Sequence, residues 1–109
     1  MKSYLREFTE IADDVKLGLR ASVGHGCRIG AASIIGVGSV LAGNVTVGRQ
    51  VWIGPNVSVS DGRTIGDQAR ALIGSVVIRD IPAGETVSGN FALQHTAHLQ
   101  QFIRQRHGT

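Results

Sequence analysis

Every sixth residue from Ile11 to Val77 is aliphatic. The column reads Ile11, Leu17, Val23, Ile29, Ile35, Leu41, Val47, Ile53, Val59, Ile65, Ala71 and Val77, and only Ala71 is not Ile, Leu or Val. A period of six fits neither an amphipathic helix, which repeats at about 3.6, nor an alternating strand, which repeats at about 2. It fits short strands joined by tight turns, each strand sending one large side chain inward. The next residue is glycine at Gly18, Gly24, Gly30, Gly36, Gly48, Gly54 and Gly66, read here as relief from backbone angles that a Cβ would obstruct. The fifth column is mostly small or β-branched, including Ala21, Cys27, Ser33, Ser39, Val45 and Val57, and leaves room where three flat faces meet. Three hexads close a triangular coil, so Ile11 to Pro82 make four coils. At the spacing of paired strands, roughly 4.8 Å, the prism is about 20 Å tall. The register is expected to run unbroken to Pro82. Arg63 interrupts the fifth column and either snorkels outward or contacts a ligand or neighbour.

The two ends leave this pattern. In residues 1–10, Tyr4, Leu5 and Phe8 stand at helical spacing, so this cap is either a short helix or the ragged end of a strand. Pro82 and Gly84 mark the exit turn. From Ala92 onward Leu99, Phe102, Ile103 and Arg106 recur at three and four, which predicts a C-terminal α-helix covering the open last coil. The expected organisation is therefore an all-β solenoid over residues 11–91, a cap over 1–10 and a helix over 92–109.

Composition narrows the function classes. Charged residues are 17% and hydrophobic residues 42% of the chain, the reverse of a disordered composition. The net charge of +3 rests on scattered arginines without a basic run, and aromatics are 5%, so no nucleic-acid partner is expected. The mild basic excess suits a small anionic ligand as well as ordinary solubility. One cysteine, Cys27, excludes an intrachain disulfide and fits a reducing compartment. No apolar stretch reaches membrane-span length and the first ten residues lack a signal-peptide core. A cytoplasmic protein with no membrane partner is the expectation.

The repeat, followed by Ile73-Gly74-Ser75-Val76-Val77-Ile78-Arg79-Asp80-Ile81-Pro82-Ala83-Gly84 and Val87-Ser88-Gly89-Asn90, resembles the hexapeptide-repeat acyltransferases. That resemblance covers residues 11–92 and implies a left-handed parallel β-helix of about four coils, an acyl-CoA co-substrate and a homotrimer. Gly24-His25-Gly26-Cys27-Arg28-Ile29-Gly30, with Leu41-Ala42-Gly43-Asn44 and Val51-Trp52-Ile53-Gly54 after it, is similar to the sialic-acid and bacillosamine type of sugar acetyltransferase. The resemblance gives His25 the role of general base. In that family an acidic residue follows the histidine, where this chain has Gly26. A second family histidine, which positions the thioester, falls at Ile34. The family's N-terminal nucleotide-sugar-binding domain has no counterpart in these 109 residues.

Acyl transfer to a hydroxyl or amine needs a base at the acceptor and donors for the developing oxyanion. His25 is the one histidine inside the solenoid; its alternative reading is a solvent-facing polar residue. The backbone N–H groups of Gly54 and Leu72 are candidates for the thioester or pantetheine amides. Arg79 is the candidate for coenzyme A phosphate, or else a surface charge in the exit turn. His95 and His98 are three apart and could hold a metal on one helix face, but a single solenoid histidine does not make the metal site of the zinc enzymes that share this fold, and no metal is expected. Trp52, in the sixth column, points outward as an interface residue or a ligand wall. Two functions follow: acyl transfer from acetyl-CoA or another acyl-CoA to a sugar or nucleotide-sugar-like small molecule, between subunits of a trimer, or a noncatalytic assembly domain. The acceptor and the acyl length are not written in the sequence.

Overall fold

The computed structural model describes residues 4, 5 and 9–94. Their strands fall into three sheets that form the flat faces of a triangular prism. Sheet 1 contains Tyr4–Leu5, Ser22–Val23, Val40–Leu41, Ser58–Val59 and Val76–Val77. Sheet 2 contains Glu10–Ile11, Arg28–Ile29, Thr46–Val47 and Thr64–Ile65. Sheet 3 contains Lys16–Leu17, Ile34–Ile35, Trp52–Ile53, Arg70–Ala71, Thr86–Ser88 and Leu93–Gln94. Successive coils pair in parallel, with partners eighteen residues apart such as Val23 and Leu41, or Ile29 and Val47.

From Glu10–Ile11 to Val76–Val77 each two-residue strand presents one side chain outward and one inward, as the strand period requires. The inward column from Val23 to Val77 is buried throughout, and Ile35 and Ile53 are wholly enclosed. Each buried Ile, Leu or Val contributes about 1.5–3 kcal/mol relative to exposure. Ile11 and Leu17, in the first coil, are only partly covered. The fifth column fills the corners. Its buried serines also staple coil to coil: Ser39 Oγ donates to the Gly54 carbonyl at 2.7 Å and accepts the Val57 N–H at 3.0 Å. Ser33 does the same with Gly48 and Val51.

The corners are tight turns; at several of them the fifth-column N–H returns to the second-column carbonyl, as in Ala21 to Gly18 at 3.1 Å, while Val51 and Val57 donate to the serine hydroxyls instead. The fourth column carries the left-handed backbone: Asp14, Arg20, Asn44 and Asn56 all have φ near +60°, and Gly26 has φ of 74°. This is the third residue of a type II turn, the one that must take positive φ. The second-column glycines do a different job from the one expected. They are absent from the positive-φ residues, and a Cβ on Gly36 would stand 2.5 Å from the Gly54 carbonyl carbon. Close approach of adjacent coils, rather than backbone angle, is why glycine stands there.

The register does slip before Pro82. Ile81 bridges to Ile65, sixteen residues away, and Val87 pairs with Ala71 at the same shortened interval. The connection from Val77 to Ile81 is two residues short of a hexad, so Ile81 fills an inward position that the sequence register assigned to residue 83. Asp80 repairs the ladder, its Oδ1 accepting the Thr64 N–H at 2.9 Å. Arg63 snorkels out of its corner here, reaching the Ile78 carbonyl at 3.5 Å and the Asp80 carboxylate at 4.0 Å.

Tyr4–Leu5 is a strand paired in parallel with Ser22–Val23, so at these two residues the strand alternative holds rather than the helix. Leu5 lies six residues before Ile11 in the sequence. At the other end Leu93–Gln94 is a strand antiparallel to Thr86–Ser88, so the helix expected from residue 92 does not begin there. The rest of that expected helix lies outside the described residues. Among the described residues no helix is long and apolar enough to cross a membrane.

Candidate active site

His25 lies in the turn between sheets 1 and 2 and is exposed. Its carbonyl accepts the Asn44 N–H of the next coil at 2.8 Å, which pins the turn to the body of the prism. The same edge continues through Gly43 and Asp61, one residue per coil. Gly26, beside His25, is left-handed, and a Cβ there would collide with the Asn44 side-chain oxygen. An acidic side chain at this position would have to adopt the left-handed backbone and would require the Asn44 side chain to move aside.

Directly beneath His25 stands Gly43. Its carbonyl accepts the Gly62 N–H at 2.9 Å, while among the described residues its own N–H donates to no backbone acceptor. A Cβ at residue 43 would lie 2.9 Å from Asp61 Oδ1, so the missing side chain opens the edge between His25 and Asp61. An unengaged N–H one coil from the histidine, on the same edge, is the kind of donor that an oxyanion requires. Sequence reasoning missed Gly43. The available signal was its spacing of eighteen residues, one coil, from His25.

The amide donors expected at Gly54 and Leu72 are already engaged. Gly54 N–H donates to the Ala71 carbonyl at 2.9 Å and Leu72 N–H to the Val87 carbonyl at 3.0 Å. These bonds hold the coils together, and the Gly54 carbonyl is taken by Ser39. Any contact of Gly54 or Leu72 with a ligand has to use something other than its N–H. Both also lie at the end of sheet 3, on the side of the prism away from the His25 edge.

Arg79 is exposed in the shortened exit turn and makes no hydrogen bond or ion pair among the described residues. It borders a cavity of about 250 Å³ whose other walls include Asp80, Ile81, Pro82, Glu85 and Val87. It stands on the His25 side of the prism, three coils further along, a distance of about 14 Å at strand spacing. Ile34 lies on sheet 3 beside Trp52, so within one chain it does not converge with His25. The Trp52 ring is not bare: the Arg70 guanidinium lies over it, 5.2 Å from the centroid, as a cation–π pair. His95 and His98 lie outside the described residues.

The same prism recurs in solved enzymes. A hexapeptide-repeat acetyltransferase of Vibrio cholerae superposes with a TM-score of 0.76 at 23% identity, covering 81% of this chain and 61% of that one. The fold is the left-handed parallel β-helix. Perosamine N-acetyltransferase of Caulobacter crescentus, solved with CoA and GDP-perosamine, matches with a TM-score of 0.63 at 28% identity over 84% of this chain and 56% of its own. In sequence, galactoside O-acetyltransferase of Escherichia coli is 42% identical over 45 residues. UDP-3-O-acylglucosamine N-acyltransferase of Campylobacter curvus is 30% identical over 87 residues, 80% of this chain.

This chain belongs to the hexapeptide-repeat acyltransferase superfamily. It spans only 22% and 27% of those two sequence relatives. No family model matches it.

Proposed function

We propose that this chain transfers an acyl group, acetyl in the simplest case, from an acyl-CoA to a sugar or nucleotide-sugar-like acceptor, at a site between subunits of a homotrimer. The observation that carries the reading is the pairing of His25 with the unengaged Gly43 N–H on one exposed edge. His25 removes the proton from the acceptor hydroxyl or amine as it attacks the thioester carbonyl. The Gly43 N–H donates to the oxygen that becomes negative, and the tetrahedral intermediate collapses with departure of the coenzyme A thiolate. Arg79, three coils along the same side, meets a phosphate of the donor while the extended pantetheine arm spans the interval. No metal enters this scheme.

The likeness to an enzyme solved with CoA and GDP-perosamine supports both substrate classes. The separation of His25 from Ile34 and Trp52 onto different sides supports a site completed by a neighbouring copy. Release of coenzyme A thiol from acetyl-CoA, measured with amino-sugar and hydroxyl-sugar acceptors, tests the reading. His25→Ala is expected to lower the rate about 10²–10⁴-fold with the fold intact. An unchanged rate removes His25 from the mechanism.

A second reading, a noncatalytic assembly domain, is favoured by Gly26 and Ile34 standing where the resembling enzymes carry an acid and a histidine. It predicts a stable oligomer that binds no acyl-CoA.

A further inference from the structure

The edge that presents His25 is stacked in register for three coils. The Asn44 N–H bonds to the His25 carbonyl at 2.8 Å and the Gly62 N–H to the Gly43 carbonyl at 2.9 Å, so His25, Gly43 and Asp61 stand one above another. His25 and Asp61 are both exposed and lie two coils apart, about 9.6 Å along the prism. The residue between them has no side chain. A Cβ on Gly43 would stand 2.9 Å from Asp61 Oδ1 and 3.5 Å from the His25 carbonyl oxygen. The Asp61 carboxylate thus reaches out of its own coil to the level of Gly43, into space that any other residue there would fill. One coil spacing, about 4.8 Å, is left for the imidazole to cross.

Elimination points to the same carboxylate. Gly26 supplies no acid beside the histidine. Glu10, on sheet 2, is paired with Arg28 at 3.2 Å, and Asp80 accepts the Thr64 N–H and faces Arg63. Arg63 turns its guanidinium to the Asp61 carbonyl at 3.3 Å, the Ile78 carbonyl and Asp80, not to the Asp61 carboxylate. Asp13, Asp14 and Asp67 stand in turns between sheets 2 and 3, on another edge. Among the described residues, Asp61 is the acid on the His25 edge that is in no ion pair.

We infer that Asp61 is the positioning residue of His25: its carboxylate accepts the hydrogen of one imidazole nitrogen and turns the other nitrogen to the acceptor. A neutral imidazole carries its proton on either nitrogen, and the hydrogen bond made by one decides which lone pair the other presents. When His25 takes the acceptor's proton, the carboxylate faces the imidazolium and stabilises it without taking the proton itself. The catalytic role rests on the acyl-transfer reading; the pairing does not. The competing use of such a carboxylate is visible on the next edge, where Asp67 Oδ1 accepts the Arg49 N–H one coil away at 2.9 Å. Two coils from Asp67 stands Ala31, with no side-chain donor, whereas two coils from Asp61 stands His25.

The test is the tautomer of the neutral His25 ring, read from proton–nitrogen correlation spectra of the full chain with isotope-labelled histidine. The His25 signal is the one lost in His25→Gln. In the parent chain the ring is expected to hold one tautomer. Asp61→Ala is expected to release it to the mixture of a free imidazole, with the circular-dichroism spectrum kept. Gly43→Ala, whose Cβ displaces the carboxylate, is expected to do the same with Asp61 in place, and decides alone should Asp61→Ala fail to fold. A parent ring already mixed, or a tautomer that survives either substitution, overturns the pairing and leaves Asp61 the backbone role of Asp67. In a chain active in acyl transfer, Asp61→Ala is also expected to lower kcat about 10-fold with KM for acetyl-CoA unchanged; an unchanged kcat removes Asp61 from the mechanism. The spectra need no substrate, so a tautomer released by Asp61→Ala in a chain that transfers nothing counts against acyl transfer alone.

Discussion

The carbonyl of His25 accepts the Asn44 N–H at 2.8 Å, so the turn that presents the imidazole is held by the coil beneath it. Asn44 does this from the left-handed region, at φ of 61°, where asparagine is tolerated far better than most residues. Asn44→Ala is expected to cost about 1–2 kcal/mol by chemical denaturation. Asn44→Gly, free of that strain, is expected to cost less. Equal losses in the two variants would show that backbone conformation is not what Asn44 supplies.

Glycine at the second column answers to packing, and this separates it from glycine at the fourth. Gly36→Ala drives a Cβ to 2.5 Å from the next coil's backbone and is expected to cost about 1–3 kcal/mol or more, as overpacking does. Gly74→Ala meets nothing within 4 Å and suffers only its positive φ of 74°, about 1–2 kcal/mol. Urea denaturation of the pair should rank Gly36→Ala as the more damaging.

Much of the fold could be read from the chain, for a physical reason. Burying one large side chain per strand leaves a column of Ile, Leu and Val, and that column is visible in any one sequence. The positive φ of the fourth column is not visible, because Asp14, Arg20, Ala32 and Gln50 share no side-chain chemistry that announces it. The slip at Ile81 was hidden for a related reason: a β-branched residue fits the fifth column as well as the first. At the site, His25 was legible as a residue type and a motif. Gly43 was not, since its value lies in an N–H left over by the ladder, and the N–H groups of Gly54 and Leu72 were misjudged because their ladder partners come from the next coil.

Ser39 is wholly buried and serves two backbone groups of the next coil. Ser39→Ala leaves the Gly54 carbonyl without the hydroxyl donor and the Val57 N–H without an acceptor. A loss of about 1–3 kcal/mol follows from an unsatisfied buried polar group, read as a lower denaturation midpoint. A variant as stable as the parent would mean that the coils are held by apolar packing alone.

Arg79 is exposed and unpaired among the described residues, so removing it disturbs little of the fold. With an active chain, Arg79→Ala is expected to raise KM for the acyl-CoA about 10–100-fold, the equivalent of one charged hydrogen bond, with kcat nearly unchanged. A fall in kcat at constant KM would place Arg79 at the reacting thioester instead of the phosphates.

The most direct measurement is a calorimetric titration of the assembled protein with acetyl-CoA and with free coenzyme A. The acyl-transfer account predicts saturable binding of both, one site per chain, weakened by Arg79→Ala. Absence of binding to a folded, assembled chain would contradict it and leave the prism as a scaffold.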